Sequence, residues 1–127
     1  MSKKRYYGYK KRNEHYSIRF RDDAEKGKTD MGTLIAMEYE NGLFQLIKIN
    51  WGAEEDYERS RDGIVEMYWL FDIENTKKLM LRTGTHDAKD MMNALYERVK
   101  CHADYADTYI TKFCDEKDIK YTFRVYY

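Results

Sequence analysis

The segment "TLIAMEYENGLFQLIKIN", residues 33–50, decides the fold. Two apolar runs flank Asn41-Gly42, a residue pair suited to the two-residue type I′ turn, in which both positions need positive φ. Such a turn fixes an antiparallel register. Tyr39 then lies opposite Phe44, Met37 opposite Leu46 and Ile35 opposite Lys48 on one side of the sheet. The other side carries Glu38 and Gln45 near the turn, with Leu34, Ala36, Ile47 and Ile49 toward the far end. That far end is apolar on both sides and calls for cover on both faces.

Upstream, "EHYSIRFR", residues 14–21, alternates Tyr16, Ile18 and Phe20 with polar residues, the pattern of a strand with one buried face. The polar stretch 22–32, with two glycines, reads as a loop between that strand and the hairpin. Downstream, "WGAEEDYERSRD", residues 51–62, is acidic and aperiodic and reads as a second loop. "GIVEMYWLF", residues 63–71, resumes a strand with Val65, Met67, Trp69 and Phe71 on one face.

The period then changes from two to 3.6. Asp72 is placed to cap a helix running to Arg82 and closed by Gly84. Ala88, Met91, Met92, Leu95, Tyr96 and Val99 mark one face of the next helix. After a weak break at 102–104 the same spacing returns in Ala106, Tyr109, Ile110, Phe113 and Cys114, as a bent continuation or as a third helix. "IKYTFRVYY", residues 119–127, alternates again with Ile119, Tyr121, Phe123, Val125 and Tyr127 on one face. This order predicts an α+β fold: a single-domain, mainly antiparallel sheet of about five strands, with two or three helices between strands four and five covering one face. The last strand is expected to re-enter the sheet, by a right-handed crossover if it runs parallel to strand four.

Composition agrees with an ordered body. Among 127 residues 43% are hydrophobic, enough for a core despite a charged fraction of 36%. The total charge is zero, but residues 1–21 hold eight Lys/Arg against Glu14 alone, for +7, whereas residues 22–127 hold 15 cations and 22 acids, for −7. The chain thus divides into a basic, tyrosine-rich arm, 1–13, and a single α+β domain, 14–127. Proline is absent. No apolar run approaches the ~20 residues of a membrane span, and no apolar segment follows the basic N-terminus as a secretory signal requires. Two cysteines make no disulfide framework, so a cytoplasmic setting is expected.

Catalytic and metal signatures are weak. His86, Cys101, His102 and Cys114 lack the paired spacing of a zinc site, and Cys114 falls on an apolar helical stripe. His15-Tyr16-Ser17 has the His-x-Ser form used by two-histidine phosphodiesterases, but no second dyad occurs. The acids at 22–25 and 54–58 sit in segments read as solvated loops, with Arg59 and Arg61 interleaved in the second. Neither glycine-rich phosphate-binding motif is present. Met91, Met92 and Tyr96 share the stripe of Leu95 and Val99 and read as core. No catalytic residue, metal ligand or cofactor is therefore assigned, and an enzyme is not expected.

The remaining signal is "SKKRYYGYKKR", residues 2–12. Lys3, Lys4, Arg5, Lys10, Lys11 and Arg12 can neutralise phosphates, and Tyr6, Tyr7 and Tyr9 offer rings on which bases stack. The stretch is similar to the small basic, tyrosine-rich N-terminal arms of some phage-encoded anti-CRISPR proteins, a similarity confined to these low-complexity residues that transfers no site. Trp51, which ends a strand, is with Glu54, Glu55 and Asp56 a candidate protein interface. The expected function is non-enzymatic binding to nucleic acid or a ribonucleoprotein machine through the arm, as suits a phage or mobile-element inhibitor of a host nuclease. The alternatives are a protein–protein module or homo-oligomer whose arm docks on an acidic surface and, third, a small-molecule sequestering protein.

Overall fold

The computed structural model describes residues 14–127. Five strands form one antiparallel sheet whose spatial order follows the chain: β1 (His15–Asp22), β2 (Gly32–Glu40), β3 (Leu43–Trp51), β4 (Ile64–Leu70) and β5 (Thr122–Tyr126). A short helix α1 (Glu54–Arg59) lies between β3 and β4. Between β4 and β5 come α2 (Ile73–Arg82), α3 (Ala88–Val99), a 3₁₀ segment (Lys100–Tyr105) and α4 (Ala106–Glu116).

The hairpin adopts the register that its sequence predicts, with Tyr39 opposite Phe44, Met37 opposite Leu46 and Ile35 opposite Lys48. Asn41 and Gly42 take φ values of 49° and 98°, the two positive angles that a type I′ turn requires. Asn41 also anchors the start of β1: its side-chain oxygen accepts from the Glu14 N–H at 2.9 Å, and its own N–H donates to the Glu14 carbonyl at 3.0 Å.

The core lies between one sheet face and α2, α3 and α4. Ile35, Met37, Phe44 and Leu46 from the hairpin meet Leu79, Met91, Met92, Leu95, Ile110 and Phe113 from the helices, all buried. The methionines singled out by spacing are core side chains, at 0% and 1% exposure. On the opposite face Ala36 and Ile47 are buried, while Leu34 and Ile49 are half-buried.

Three features differ from the sequence reading or complete it. Residues 51–62 do not form a plain loop, because Glu54–Arg59 close as α1. Six residues are too few to display a helical period. The helical stretch after Gly84 is two helices, separated where His102 leaves helical geometry at φ −125°, ψ 44°. Finally, β5 runs antiparallel to β4, with Trp69 opposite Phe123 and Tyr68 opposite Arg124. The question of crossover handedness therefore does not arise.

Buried polar side chains of α2 hold the helical layer to the strands. Asp72 caps α2 by accepting from the Asn75 N–H at 2.8 Å. The Asn75 side-chain oxygen accepts from the Lys120 N–H at 2.8 Å, fixing the entry to β5. Thr76, buried, accepts from the Phe44 N–H at 3.1 Å. Among the described residues no helix is long and apolar enough to cross a membrane.

Candidate functional site

Lys3, Lys4, Arg5, Tyr6, Tyr7, Tyr9, Lys10, Lys11 and Arg12 lie outside the described residues. Their point of attachment is described. Glu14, bonded to Asn41, places the junction of arm and body at the β2–β3 turn, beside the edge strand β1.

Next to that turn a groove of about 570 Å³ opens on the sheet face opposite α2–α4. Leu43 and Leu70 supply its apolar side chains, and Glu38, Glu40 and Asp72 its acids, with Arg124 the one cation among the described residues that line it. Leu43 is half exposed. One Asp72 oxygen caps α2, and the helix-start N–H and side-chain N–H of Asn75 that it accepts hold its carboxyl below the usual carboxylate range. Glu38 accepts from Gln45 at 3.0 Å across the hairpin. Sequence reading missed this groove, because its residues come from three separated segments, 38–45, 70–72 and 122–124. The available signal was the register itself, which puts Glu38 and Gln45 on the face away from Met37 and Leu46.

The second group, Trp51, Glu55 and Asp56, is brought together at the far end of the sheet. It lines a cleft of about 370 Å³ with Arg21, Asp23 and Lys28. Glu54 is exposed on α1. Asp56, offered by sequence as an interface residue, is only 4% exposed, and its carboxylate accepts from the Ala53 N–H at 3.1 Å, closing the first turn of α1. Its geometry assigns it to holding the helix. Trp51 is half-buried opposite Gly32, where an added Cβ would come within 2.8 Å of the indole ring. The ring and the glycine thus fit together as a floor for the cleft.

Asp23 is the electrostatic centre of this end. It is 4% exposed and accepts from Arg21 Nη2 at 2.8 Å and from the Thr33 N–H at 2.9 Å. Hydrogen bonding to Arg21 holds the Asp23 carboxyl below its usual range, while the same contact raises the Arg21 guanidinium. The strand geometry that allows this is a register irregularity between Arg19 and Arg21. It lets Phe20 stack on Tyr96 of α3, centroids 5.8 Å apart, while Arg21 reaches Asp104 of the 3₁₀ segment at 3.7 Å. Beside it Lys48 approaches buried Asp107 of α4 at 3.7 Å. Asp107 Oδ1 has no hydrogen-bond partner among the described residues.

The residues considered for zinc are dispersed. Cys101 is exposed in the 3₁₀ segment, Cys114 is buried in α4, and His102 stacks on Tyr109 at 4.4 Å. Among the described residues no group of three or more His, Cys, Asp or Glu side chains is arranged to hold a metal ion. His15 and Ser17 of the dyad point along an exposed row of β1.

Comparison with protein-family models, with curated proteins and with solved structures finds no match to this chain. Its functional reading rests on its own residues.

Proposed function

We propose that the protein is a non-enzymatic binding protein that contacts nucleic acid, or a ribonucleoprotein machine, through its basic tyrosine-rich arm. One observation carries the reading: residues 1–13 hold six cations and no acid, whereas residues 14–127 hold 17 cations and 23 acids, for −6. A polyanion is repelled by such a body and attracted by such an arm. Three tyrosines among the cations add stacking surface for unpaired bases. The acidic body is then free to meet a protein. A two-signed molecule of this kind suits an inhibitor that engages both components of a host nuclease complex, as a phage or mobile element would encode.

Fluorescence anisotropy with a labelled single strand tests the reading. Six cations limit the arm's share of the log–log salt slope to about −4 at about −0.7 per phosphate. Deleting residues 2–12 is expected to flatten the slope. Replacing Tyr6, Tyr7 and Tyr9 by Ala is expected to weaken binding by about 1–3 kcal/mol per stacked ring with the slope retained. Equal, weak binding by the full and arm-deleted chains at low salt overturns it.

A second reading has its own support. Glu38, Glu40 and Asp72 line the groove beside the arm's point of attachment, so the arm has an acidic, partly apolar surface within reach of its own or a second chain. Light scattering without nucleic acid separates the two readings. A dimer dispersed by salt, with arm deletion also dispersing it, favours the second.

A further inference from the structure

The two edges of the sheet are built differently. Along β1 the register is broken between Arg19 and Arg21, and Arg19, Arg21 and Asp22 supply charge, devices that discourage another strand from pairing there. The β5 edge has an unbroken register with β4 and one charge, Arg124, among its five residues. It is also strongly aromatic: Phe123 is 50% exposed, Tyr126 54% and Tyr127 62%.

The direction of the β5 backbone groups follows from the ladder. Phe71 N–H donates to the Phe44 carbonyl at 3.0 Å, and Gly52 N–H to the Gly63 carbonyl at 3.0 Å. Both pairs continue the β3–β4 register, in which Gln45 lies opposite Leu70. Odd-numbered residues of β4 therefore turn their N–H and C=O toward β3, and Glu66, Tyr68 and Leu70 turn theirs toward β5. Their partners there are Tyr126, Arg124 and Thr122. By the same alternation the N–H and C=O groups of Phe123 and Val125 point away from the sheet.

We propose that β5 is a self-pairing edge through which two copies of this chain join, antiparallel about a two-fold axis at Val125, into one ten-stranded sheet. The axis position follows from the chemistry. A two-fold at Arg124 would also bring outward groups together, Phe123 against Val125, but it would set two guanidinium groups directly opposite each other. At Val125 all opposed odd-numbered residues present outward groups, and Phe123 meets Tyr127 of the second copy. On the other face Arg124 meets Tyr126 of the second copy, a cation beside a ring rather than beside a cation. Tyr127 is already positioned for this: the Arg59 guanidinium lies 5.1 Å from its ring centroid and donates to its hydroxyl at 3.2 Å. This association depends on backbone bonds and apolar cover, so it differs from docking of the arm in surviving salt.

Sedimentation velocity of the full chain over a concentration series in about 1 M NaCl, where the screening length is ~3 Å, tests the proposal. A dimer that persists in salt and after deletion of residues 2–12 is expected, so this outcome is read independently of the arm's function. Val125→Pro removes an outward N–H and none of the β4 ladder, a position where an edge strand tolerates proline. At least a tenfold weaker dimerisation is expected, with the circular dichroism spectrum retained. Amide exchange of the wild-type chain supplies a test free of any substitution. Phe123 and Val125 amides should gain at least tenfold protection as concentration rises, while Arg124 and Tyr126 stay protected throughout. A wild-type monomer at all concentrations, or exchange at Val125 independent of concentration, overturns the proposal, including the case in which the edge captures a foreign peptide instead.

Discussion

At Gly42 a single residue carries the register of the central hairpin. Among the described residues an added Cβ there would meet only Ile73, at 3.5 Å, which is ordinary contact, so the described space is not the constraint. The φ of 98° is, because a β-branched side chain resists it. Gly42→Val is therefore expected to lower stability by about 1–3 kcal/mol, read as a shift in urea midpoint at unchanged slope. An unchanged midpoint would contradict the turn assignment. Asp23 gives a pH-dependent counterpart. Its folded carboxyl is lowered by Arg21, so it stabilises the fold above the unfolded value of about 3.9, and that contribution is lost as pH falls through the lower folded value. Asp23→Asn is expected to lower the urea midpoint at pH 7 and to reduce the steepness of its decline below about pH 4. Equal acid profiles for the two proteins would assign that decline to other carboxylates. The turn residues were legible in sequence because their backbone angles are local. Asp23 was not, since its partners Arg21 and Thr33 meet it only through the β1 irregularity and the β1–β2 connection.

At the level of elements, α2, α3 and α4 were readable because each repeats its apolar positions over several turns, and Asp72 caps α2 as its residue type predicts. Helix α1 offered no such repeat, and its first turn is closed from inside by Asp56 rather than by a Ser, Thr, Asn or Asp ahead of it. An acid that looks solvated in the sequence was in fact a cap. Lys48 had a predictable register but an unpredictable partner, since Asp107 arrives from a helix far along the chain. Helix α4 gives a chemical test of packing. Cys114 is buried, and burial pushes its thiol up to about 12, whereas Cys101 is exposed. One thiol per chain is expected to react with a disulfide reagent under native conditions and two in denaturant. Cys101→Ser with Cys114→Ala should stay folded, with a loss of about 1 kcal/mol from the trimmed side chain. Two rapidly reacting native thiols would show that α4 is not seated as described.

For the whole molecule, the sheet and its helical cover were legible as a class, because the alternation of period two and period 3.6 sorts the chain into layers. The direction of β5 was not, since three helices separate it from β4 and local patterning does not carry orientation across them. The groove beside Asn41 was hidden for a related reason: Glu38 and Arg124 become neighbours only when the last strand closes the sheet. That closure also sets a timetable. Strands β1 to β4 pair only with neighbours in sequence, the β2–β3 pair through a two-residue turn, whereas β5 must wait for a connection running from Leu70 to Thr122. Chain closure over the longer span has the larger entropic demand, so the hairpin should form in the transition state and β5 after it. In stopped-flow refolding, Gly42→Val is therefore expected to act mainly by slowing folding, and Val125→Ala mainly by speeding unfolding. With no X–Pro bond in the chain, refolding should also lack a proline-limited phase of tens of seconds. The strand that completes the sheet would then be the last to arrive and the first to leave.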